Sequence, residues 1–589
     1  MLISLITVRE FMQKEEIFAL IIPTGDPHAS EYPCSHWELR KTLCPFTGSA
    51  GTLVITADAA LLWTDSRYWE QATRELASSE FTLMRAGDAE VPRPETWIAT
   101  HFKPTTRVGI DGATTTLFRF EEIEKTLNAK EIVLTDVSRT LYTLWENRPP
   151  MPEVPVLPFT LSQDSRAKKL SSLREALKKV GADAMLVTAL DDLAWITNLR
   201  GGDVPFTPVF LGALLVDQGS STLFINPKKV GRATYASLQA DGIECRPYEA
   251  LQDALRALPS TLRLLVDAKQ MNAHLYAGCL SHVNSVRAAS PISTLKTRKN
   301  PREIQSIREA MEKEGAALAK LFFWVEESLK MGKAITEFDV AEKHLALRKE
   351  AENFVELSFE TIAATGPNAA LPHYAPRALK SSMLQTGTLL LLDCGGQYFG
   401  ATTDITRTVA LGTVAEEIKR DYTAVLRAHI ALLMARFPAG LPAFYLDSVA
   451  RGPLWEEGMD FGHSTGHGVG FFLCVHEAPL AISPRANLEE AARLQPGVVV
   501  SDEPGVYRTG KWGIRIENLI TPIPSEKTGF LEFEPLSLFP YDRSLIDLSM
   551  LSPRERAWID SYHAYVLKRL ENSVEEPVLA WLKKATAPL

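Results

Sequence analysis

Hydrophobic and polar positions near the start of the chain predict a helix followed by β-strands. After a helical segment comes the apolar run IFALIIP at residues 17–23, which is typical of a buried strand. Residues 51–63, GTLVITADAALLW, read as a hairpin with a turn near Ala57-Asp58. Helix and strand patterns that alternate at this length indicate a small α/β domain.

The same order of patterns returns further along the chain. Leu170, Leu173 and Leu177 form a helical stripe that Gly181 closes, and the strand pattern AMLVTAL follows. A second hairpin pattern covers residues 212–225, with its turn at Gln218-Gly219. We therefore predict two N-terminal α/β domains of similar build.

Prolines and a helix-start signal divide the chain. Residues 149–158, PPMPEVPVLP, contain five prolines and predict an extended connector. Asn300, Pro301 and Glu303 combine a capping residue, a proline suited to the first helical position and a capping-box acid. A long apolar stripe at helical spacing follows them. The predicted domains are 1–155, 156–297 and 298–589, and the last ends in a helical tail after Ser552.

Composition narrows the class of protein. The chain has 589 residues, too many for one hydrophobic core, and its 46% hydrophobic content argues against extended disorder. A net charge of -9 without a basic run argues against nucleic acid as a partner. The six cysteines have no CxxC spacing, which is typical of reduced thiols. We find neither a signal-peptide pattern nor a membrane-spanning apolar run, so we expect a cytoplasmic protein with no membrane partner.

Two aspartates follow apolar strand patterns in the third segment. In TLLLLDCGGQYFGATTDITRTV, the leucine run ends at Asp393, and Asp404 opens the next strand pattern after a glycine-rich turn. A carboxylate beside such strands is costly unless it is paired or binds a cation. For either aspartate alone, capping of a turn is an equally good interpretation.

Three histidines lie among glycines in FGHSTGHGVGFFLCVHE: His463, His467 and His476. A single histidine is more often a core or surface residue than a ligand, but glycines around several histidines indicate a backbone that approaches a ligand. The glycines argue against a helix and therefore against the HExxH zinc motif.

Four further residues complete the candidate set. Glu503 follows the apolar run of residues 498–500, which we predict as a buried strand, and precedes a Pro-Gly turn. In WGIRIENLI, alternation places Arg515 and Glu517 on one face, a pattern that is usually a solvated face or an ion pair. His373, in GPNAALPHY, is weak evidence by itself.

From these residues, the four carboxylates with one of the imidazoles make a donor set that suits hard or borderline divalent cations such as Mn²⁺. Two such cations can generate hydroxide at neutral pH and bind the oxygens of a substrate during hydrolysis. The residues alone therefore predict a dinuclear metallohydrolase.

The order and spacing of these stretches resemble the pita-bread-fold metallopeptidases, and more narrowly the long, three-domain Xaa-Pro aminopeptidases. The metal-site motifs are DCGG-x7-D, GH-x-x-GHG-V-G, VHE, DEPG-Y and GIRIEN. The resemblance also covers IIPTGDPHASEY, GSAGTLVIT, WTDSRYW, TALDDLAWITNLRGGDVPFTPVF and SPRERAWIDSYH. It implies an α/β (α+β) chain with two small α/β N-terminal domains, a pita-bread catalytic domain and a C-terminal helical tail.

The resemblance also implies a role for each candidate residue and a reaction. A metal-bridging hydroxide would attack the bond between an N-terminal residue and a penultimate proline. Two Mn²⁺ ions would be bridged by Asp404 and Glu517, with Asp393 completing one site and His467 and Glu503 the other. Glu503 would also carry the proton, His373, His463 and His476 would line the substrate site, and Arg515 would support a ligand carboxylate.

Two departures and two alternatives remain at this point. Ser464 and Ala478 stand where the family pattern has glycine, so loop shape and substrate preference are open. A prolidase-like or creatinase-like enzyme is one alternative, although such chains lack the extra N-terminal domain. A non-catalytic pita-bread module that binds peptides is the other, although such modules have lost ligands. The expected partners are peptides with proline at the second position and, by analogy, a second copy in a homodimer.

Overall fold

The structure, a computed structural model, describes residues 3–589 and contains two compact units. The first unit ends at Ser293, and the second spans Thr294–Leu589. No helix within residues 3–589 is both long enough and apolar enough to cross a membrane.

The first unit begins with a six-stranded sheet and its helices. Strands β1–β6 are Ala19–Pro23, Thr52–Thr56, Ala60–Thr64, Thr82–Arg85, Arg107–Ile110 and Val133–Asp136. Helices α1–α6 are Leu5–Lys14, Leu39–Leu43, Trp69–Leu76, Pro94–His101, Leu117–Asn128 and Ser138–Leu141. The sheet order is β4-β3-β2-β1-β5-β6, in which β1, β2 and β3 are antiparallel and the outer strands join in parallel.

The rest of the first unit repeats this plan. Strands β7–β14 are Leu157–Pro158, Ala184–Val187, Leu199–Arg200, Ala213–Asp217, Ser221–Phe224, Ile243–Arg246, Arg263–Val266 and Asn284–Arg287. Helices α7–α11 are Arg166–Lys179, Leu190–Thr197, Arg232–Ala240, Leu251–Arg256 and Ala273–Leu275, and α12, Pro291–Thr297, continues past Ser293 into the second unit. The order β12-β11-β10-β8-β13-β14 has the same sequence of antiparallel and parallel pairs.

This repeated topology confirms the predicted similar build, and both predicted hairpins are present. The boundary predicted after residue 155 lies between the two sheets. It stays a prediction, because both sheets belong to the same compact unit.

The second unit combines four sheets with six helices among the described residues. Strands β15–β28 are Phe354–Leu357, Ile362–Thr365, Thr388–Cys394, Gly396–Tyr398, Ala401–Thr402, Ile405–Leu411, Arg436–Pro438, Gly466–Gly468, Glu477–Ile482, Val500–Asp502, Gly505–Arg508, Trp512–Arg515, Asn518–Pro524 and Phe530–Pro535. Helices α13–α18 are Pro301–Lys330, Glu337–Arg348, Glu416–Leu433, Asp447–Glu456, Pro553–Leu570 and Val578–Ala585. The sheets are β15-β18-β19, β16-β17-β20, β21-β28-β27-β24-β22-β23 and β25-β26.

Helix α13 begins where the sequence predicts. The Asn300 side chain accepts hydrogen bonds from the N–H groups of Arg302 and Glu303, and the Glu303 side chain closes the capping box. Its apolar stripe is buried, from Ile304 at 6% exposure to Val325 at 3%. The helical tail is present as α17 and α18, and α17 starts with its own capping box at Ser552.

Candidate metal centre

Two neighbouring antiparallel strands carry the first two acids. Asp393 lies near the end of β17, paired in register with Thr406 of β20, and Asp404 immediately precedes β20. Both are buried, with 8% of Asp393 and 4% of Asp404 exposed. Gly395 continues the chain where a Cβ atom would lie 2.2 Å from the Thr403 carbonyl oxygen. Only glycine therefore allows this close turn between the two acids.

Three adjacent strands of the six-stranded sheet bring in the other candidates. His467 lies on β22, Glu503 follows β24, and Glu517 immediately precedes β27. These strands are hydrogen-bonded neighbours, β22 to β24 and β24 to β27. At Gly466, a Cβ atom would lie 1.9 Å from the Ser501 carbonyl oxygen, so glycine allows β22 to approach β24 next to the site.

The metal-binding candidates form a close cluster. Donor atoms of Asp404, His467 and Glu517 all lie within 4.8 Å of one another. The His467 Nε2 atom is 3.4 Å from Asp404 Oδ2 and 3.5 Å from Glu503 Oε1. Asp393 accepts a hydrogen bond of 2.5 Å from Arg515 Nη2. Sequence positions more than 120 residues apart thus meet at one place.

Two carboxylate oxygens of this cluster are buried without a hydrogen-bond partner, Asp393 Oδ1 and Glu517 Oε1. An orphaned acceptor of this kind is costly. A cation would satisfy both oxygens, and carboxylates with one imidazole are the donors that divalent ions such as Mn²⁺ accept. The residues therefore fit a pair of divalent metal ions.

The pKa values of the acids in the cluster also indicate a binding site for cations. Burial raises the pKa of Glu503 to about 7, although the charge of His467 opposes the rise. Burial and the charges of Asp404 and Glu503 raise the pKa of Glu517 well above its usual range. Burial also raises the pKa of Asp393, against the effect of Arg515. The protein alone thus supplies too little positive charge for these acids.

The pKa of His467 is raised too, but by its charged neighbours and against the effect of burial. Burial by itself would lower the pKa of the imidazole, but the hydrogen bond to Asp404 and the charge of Glu503 raise it to about 9. Its Nδ1 atom lies 2.9 Å from the Gly468 carbonyl oxygen, and donation to that oxygen orients the ring. Nε2 then faces the acids, which is the arrangement a metal ligand needs.

Arg515 connects Asp393 to a histidine through a tyrosine. Arg515 Nη1 donates to the Tyr507 hydroxyl over 2.7 Å, and that hydroxyl lies 2.8 Å from His463 Nε2. His463 Nδ1 lies 2.8 Å from the Ser464 carbonyl oxygen, so Nδ1 donates and Nε2 accepts from Tyr507 when the ring is neutral. Arg515 is 3% exposed, whereas its sequence pattern was also typical of a solvated face.

The other two histidines lie beside the same residues. The His476 ring is 4.3 Å from the His467 ring, with an interplanar angle of 86°. His373 follows Pro372, whose carbonyl oxygen is 3.3 Å from Arg515 Nη2. The structure therefore brings the predicted residues into one neighbourhood.

Three residues of this neighbourhood were missed by the sequence reasoning. Tyr507 links Arg515 to His463, the Thr406 hydroxyl donates to Glu517 Oε2 over 2.8 Å, and the Ser501 hydroxyl donates to Glu503 Oε1 over 3.2 Å. Tyr507 is the tyrosine of the DEPG-Y motif, so this motif could have identified it as a residue of the site. Ser501 and Thr406 are ordinary strand residues with no such signal.

Family models match the chain along most of its length. Metallopeptidase family M24 matches residues 305–521, and the C-terminal region of peptidase_M24 matches 529–589. Two Creatinase/Prolidase N-terminal domain models match residues 5–144 and 147–303.

Individual relatives extend this match. The chain is 37% identical to a probable Xaa-Pro aminopeptidase P from Laccaria bicolor, over 99% of this chain and 92% of the relative. An X-prolyl aminopeptidase structure from Caenorhabditis elegans, described as a cytosolic enzyme with a di-nuclear active site, covers 99% of both chains at 32% identity and a TM-score of 0.95. A Pyrococcus horikoshii prolidase matches 63% of this chain and 99% of its own, at 26% identity and a TM-score of 0.50. The chain therefore belongs to metallopeptidase family M24 and, within it, to the Xaa-Pro aminopeptidases of the aminopeptidase P type.

Proposed function

We propose that this chain is a metal-dependent aminopeptidase that cleaves the bond between an N-terminal residue and a proline at the second position. The observation that carries the proposal is the donor cluster, in which two buried carboxylate oxygens have no protein partner. The match to Xaa-Pro aminopeptidases over 99% of the chain supports the choice of substrate.

In this proposal the cluster holds two divalent cations, and Mn²⁺ is the metal we expect. By resemblance to the family, Asp404 and Glu517, whose donor atoms lie within 4.8 Å of each other, would hold both cations. Asp393 would complete one site, and His467 with Glu503 the other. When bound, such a metal pair supplies a nucleophile at neutral pH and a Lewis acid for the substrate carbonyl.

Glu503 is the proposed proton carrier. In the metal-free cluster, burial raises the pKa of its carboxyl group to about 7, so this group binds a proton more readily than an exposed glutamate does. The Ser501 hydroxyl, which donates to Oε1, holds the carboxyl group in place. From there Glu503 would deliver a proton to the leaving proline nitrogen.

The histidines are proposed to hold the peptide. His476 lies against His467, and His463 is oriented by Tyr507 on one nitrogen and the Ser464 carbonyl on the other. Together with His373, they would line the substrate site and orient the peptide. Since both ring nitrogens of His463 are engaged, His373 and His476 would donate the hydrogen bonds to the oxyanion that develops at the attacked carbonyl. Arg515, which donates hydrogen bonds to Asp393 and Tyr507, would hold these two side chains in position beside the site.

We further propose that the protein acts in the cytoplasm as a homodimer. The Caenorhabditis elegans relative is described as cytosolic, which supports the compartment. The dimer rests on analogy with long family members alone. Light scattering at assay concentration tests the proposed homodimer, and a molecular mass that corresponds to one chain would contradict it.

Release of free arginine from three peptides tests the function. Metal-stripped protein is incubated with Arg-Pro-Pro, Arg-Ala-Ala and Arg-Pro, with and without Mn²⁺. We expect Mn²⁺-dependent release from Arg-Pro-Pro and little from Arg-Ala-Ala.

The other outcomes discriminate between the alternatives. Faster release from the dipeptide Arg-Pro than from Arg-Pro-Pro would favour a prolidase. Equal release from the proline and alanine tripeptides would keep the metallopeptidase but remove the proline preference. No release with any divalent metal would favour a peptide-binding module.

A further inference from the structure

The loop that carries His373 is fastened to the protein on both sides of that histidine. We call residues 366–383 the His373 loop. It begins with a short 3-10 turn, Gly366–Ala370, and its outer part is exposed at Arg377, Leu379 and Lys380. A histidine on such a loop needs fixed neighbours to hold a substrate in one place.

One fastening point is Glu337, the first residue of α14. Its carboxylate is fully buried, at 0% exposure, and accepts hydrogen bonds from both ends of the loop. At the start, Asn368 Nδ2 donates over 3.1 Å. Directly after His373, the Tyr374 hydroxyl donates over 2.7 Å, and at the far end of the loop the Ser382 N–H donates over 2.8 Å. The Thr365 N–H, just before the loop, adds a bond of 2.7 Å.

No basic side chain among residues 3–589 pairs with Glu337, so these donors are what compensates its burial. Its position at the N-terminus of α14 adds the favourable end of the helix dipole. A buried carboxylate that is satisfied by neutral donors loses much of its stabilisation if the donors leave. The two therefore depend on each other: the Glu337 carboxylate binds the loop, and the donors of the loop offset the cost of burying the carboxylate.

The other fastening point is β26. The Pro372 carbonyl oxygen lies 3.3 Å from Arg515 Nη2, and the same guanidinium binds Asp393. The turn at Ala369 also lies against β26, where a Cβ atom on Gly513 would be 1.7 Å from the Ala369 carbonyl oxygen. His373 thus stands between Pro372, held by Arg515, and Tyr374, held by Glu337.

We propose that Glu337 is a positioning residue that fixes the His373 loop for substrate binding. It touches neither the candidate metal ligands nor the proposed substrate, and it acts through Tyr374 and Ser382 on the placement of His373. The contribution to turnover rests on the proposed aminopeptidase function, whereas the fastening of the loop does not.

Glu337→Gln tests this inference. The amide keeps one oxygen for the Thr365 N–H and the Asn368 Nδ2 atom. Its NH₂ group replaces the oxygen that accepts from the Ser382 N–H and the Tyr374 hydroxyl, so the Ser382 N–H has no acceptor and the Tyr374 hydroxyl no longer donates to residue 337. The outer loop should open more often, and trypsin should cut after Arg377 and Lys380 at least about tenfold faster than in the wild type. In the peptide assay, kcat/KM for Arg-Pro-Pro should fall at least about tenfold while the Mn²⁺ affinity changes by less than about twofold.

Two further variants complete the design. Asp339→Asn removes the capping-box acid of the same helix, which bonds to Thr336 and not to the loop, so it is the matched control. It should leave tryptic cutting and kcat/KM near the wild-type values. Tyr374→Phe removes one donor only and should shift both readouts in the direction of Glu337→Gln, by a smaller factor. It also serves if Glu337→Gln fails to fold.

The readouts separate the two proposals. Equal tryptic rates for Glu337→Gln and Asp339→Asn, together with unchanged tryptic cutting in Tyr374→Phe, would overturn the fastening role. Faster tryptic cutting with unchanged kcat/KM would overturn the positioning role. If the wild type hydrolyses no Xaa-Pro peptide, the proposed function fails, and the tryptic comparison in metal-free protein still decides whether Glu337 holds the loop.

Discussion

At the scale of single residues, the candidate metal centre stores unfavourable electrostatics in the metal-free protein. Glu517 Oε1 is buried without a partner, and the nearby Asp404 and Glu503 carboxylates repel the Glu517 charge. Functional sites commonly retain such local costs, and they limit the stability of the whole protein. Removing one charge should therefore stabilise the empty site and damage the loaded one.

Glu517→Gln tests this reasoning. The amide oxygen can still accept from the Thr406 hydroxyl, but the repulsion disappears. The metal-free variant should melt at a temperature equal to or above that of the metal-free wild type. Mn²⁺ should raise the melting temperature of the wild type by mass action and hardly change that of the variant. A variant that Mn²⁺ stabilises as much as the wild type would show that Glu517 is not a ligand.

Glu503→Gln tests the proton carrier. The amide cannot accept and release a proton, so kcat for Arg-Pro-Pro should fall by about 10²–10⁴-fold. Ser501→Ala removes only the hydroxyl that donates to Glu503 Oε1 and should cost far less. Near wild-type kcat in Glu503→Gln at saturating Mn²⁺ would contradict the assignment.

The burial and the roles of single residues were the hardest features to predict from the sequence. For the face with Arg515 and Glu517, alternation left a solvated face or an ion pair open. The structure buries both faces of the strand, with Ile514 at 0% and Glu517 at 1% exposure, and Arg515 forms an ion pair with Asp393. The strand period fixes which side chains share a face, but not whether a second layer covers that face. The ligand set was identified through family motifs, since spacing alone did not decide between turn-capping and metal-binding acids.

At the scale of elements, a buried ion pair joins α13 to α14. Arg348 Nη2 lies 2.7 Å from Glu314 Oε1, and His344 Nε2 lies 3.2 Å from the same oxygen. Burial alone would raise the pKa of Glu314, but the charges of Arg348 and His344 bring it down to about 2. A carboxyl group with a pKa near 4.3 when unfolded then favours folding above that pH and loses this contribution as the pH falls towards 2.

Melting temperatures of the wild type and of Glu314→Gln, measured over a series of pH values, test this contribution of Glu314 to stability. The variant should be much less stable at pH 7, because Arg348 is left buried without its partner. The gap in melting temperature between wild type and variant should narrow between pH 5 and about 3, since only the wild type loses the Glu314 contribution there. Glu309→Gln, an exposed change on the same helix, should show a small gap at every pH. A gap for Glu314→Gln that stays constant with pH would contradict the lowered pKa.

Elements with strong local signals were predicted well. Asn300, Pro301 and Glu303 placed the start of α13 correctly, because capping needs only neighbours in sequence. The strand predicted at 498–500 instead begins at Val500 and continues to Asp502. Its limits depend on pairing with β27, which is about 20 residues away in sequence and invisible to local patterns.

At the scale of the whole molecule, a hydrogen-bond network connects the C-terminal helix α17 to the candidate metal centre within the second unit. Arg407 is buried and donates to the Glu517 carbonyl oxygen over 2.7 Å and to the Phe539 carbonyl oxygen over 2.6 Å. Its Nη2 also donates to the Tyr562 hydroxyl of α17 over 3.0 Å. The residues in this network are up to 155 positions apart, so no local pattern could predict it.

Tyr562→Phe should therefore weaken the unit that binds metal. It removes an acceptor of a buried arginine, which commonly costs about 1–3 kcal/mol. We expect a lower midpoint for the thermal transition that responds to Mn²⁺. Tyr565→Phe removes a half-buried hydroxyl from the same helix that accepts a hydrogen bond from Arg569. It should lower the stability by less than Tyr562→Phe, because Arg569 keeps its ion pair with Glu312. Equal midpoints for the two variants would mean that Tyr562 does not support the centre.

The number of cations bound per chain tests the central claim most directly. Metal-stripped protein is titrated with Mn²⁺ in a calorimeter, and bound metal is counted independently by elemental analysis after dialysis. We predict two Mn²⁺ ions per chain in the wild type and fewer in Glu517→Gln, because Glu517 is a proposed ligand of both ions. One ion per chain, or none, in the wild type would contradict a two-metal aminopeptidase.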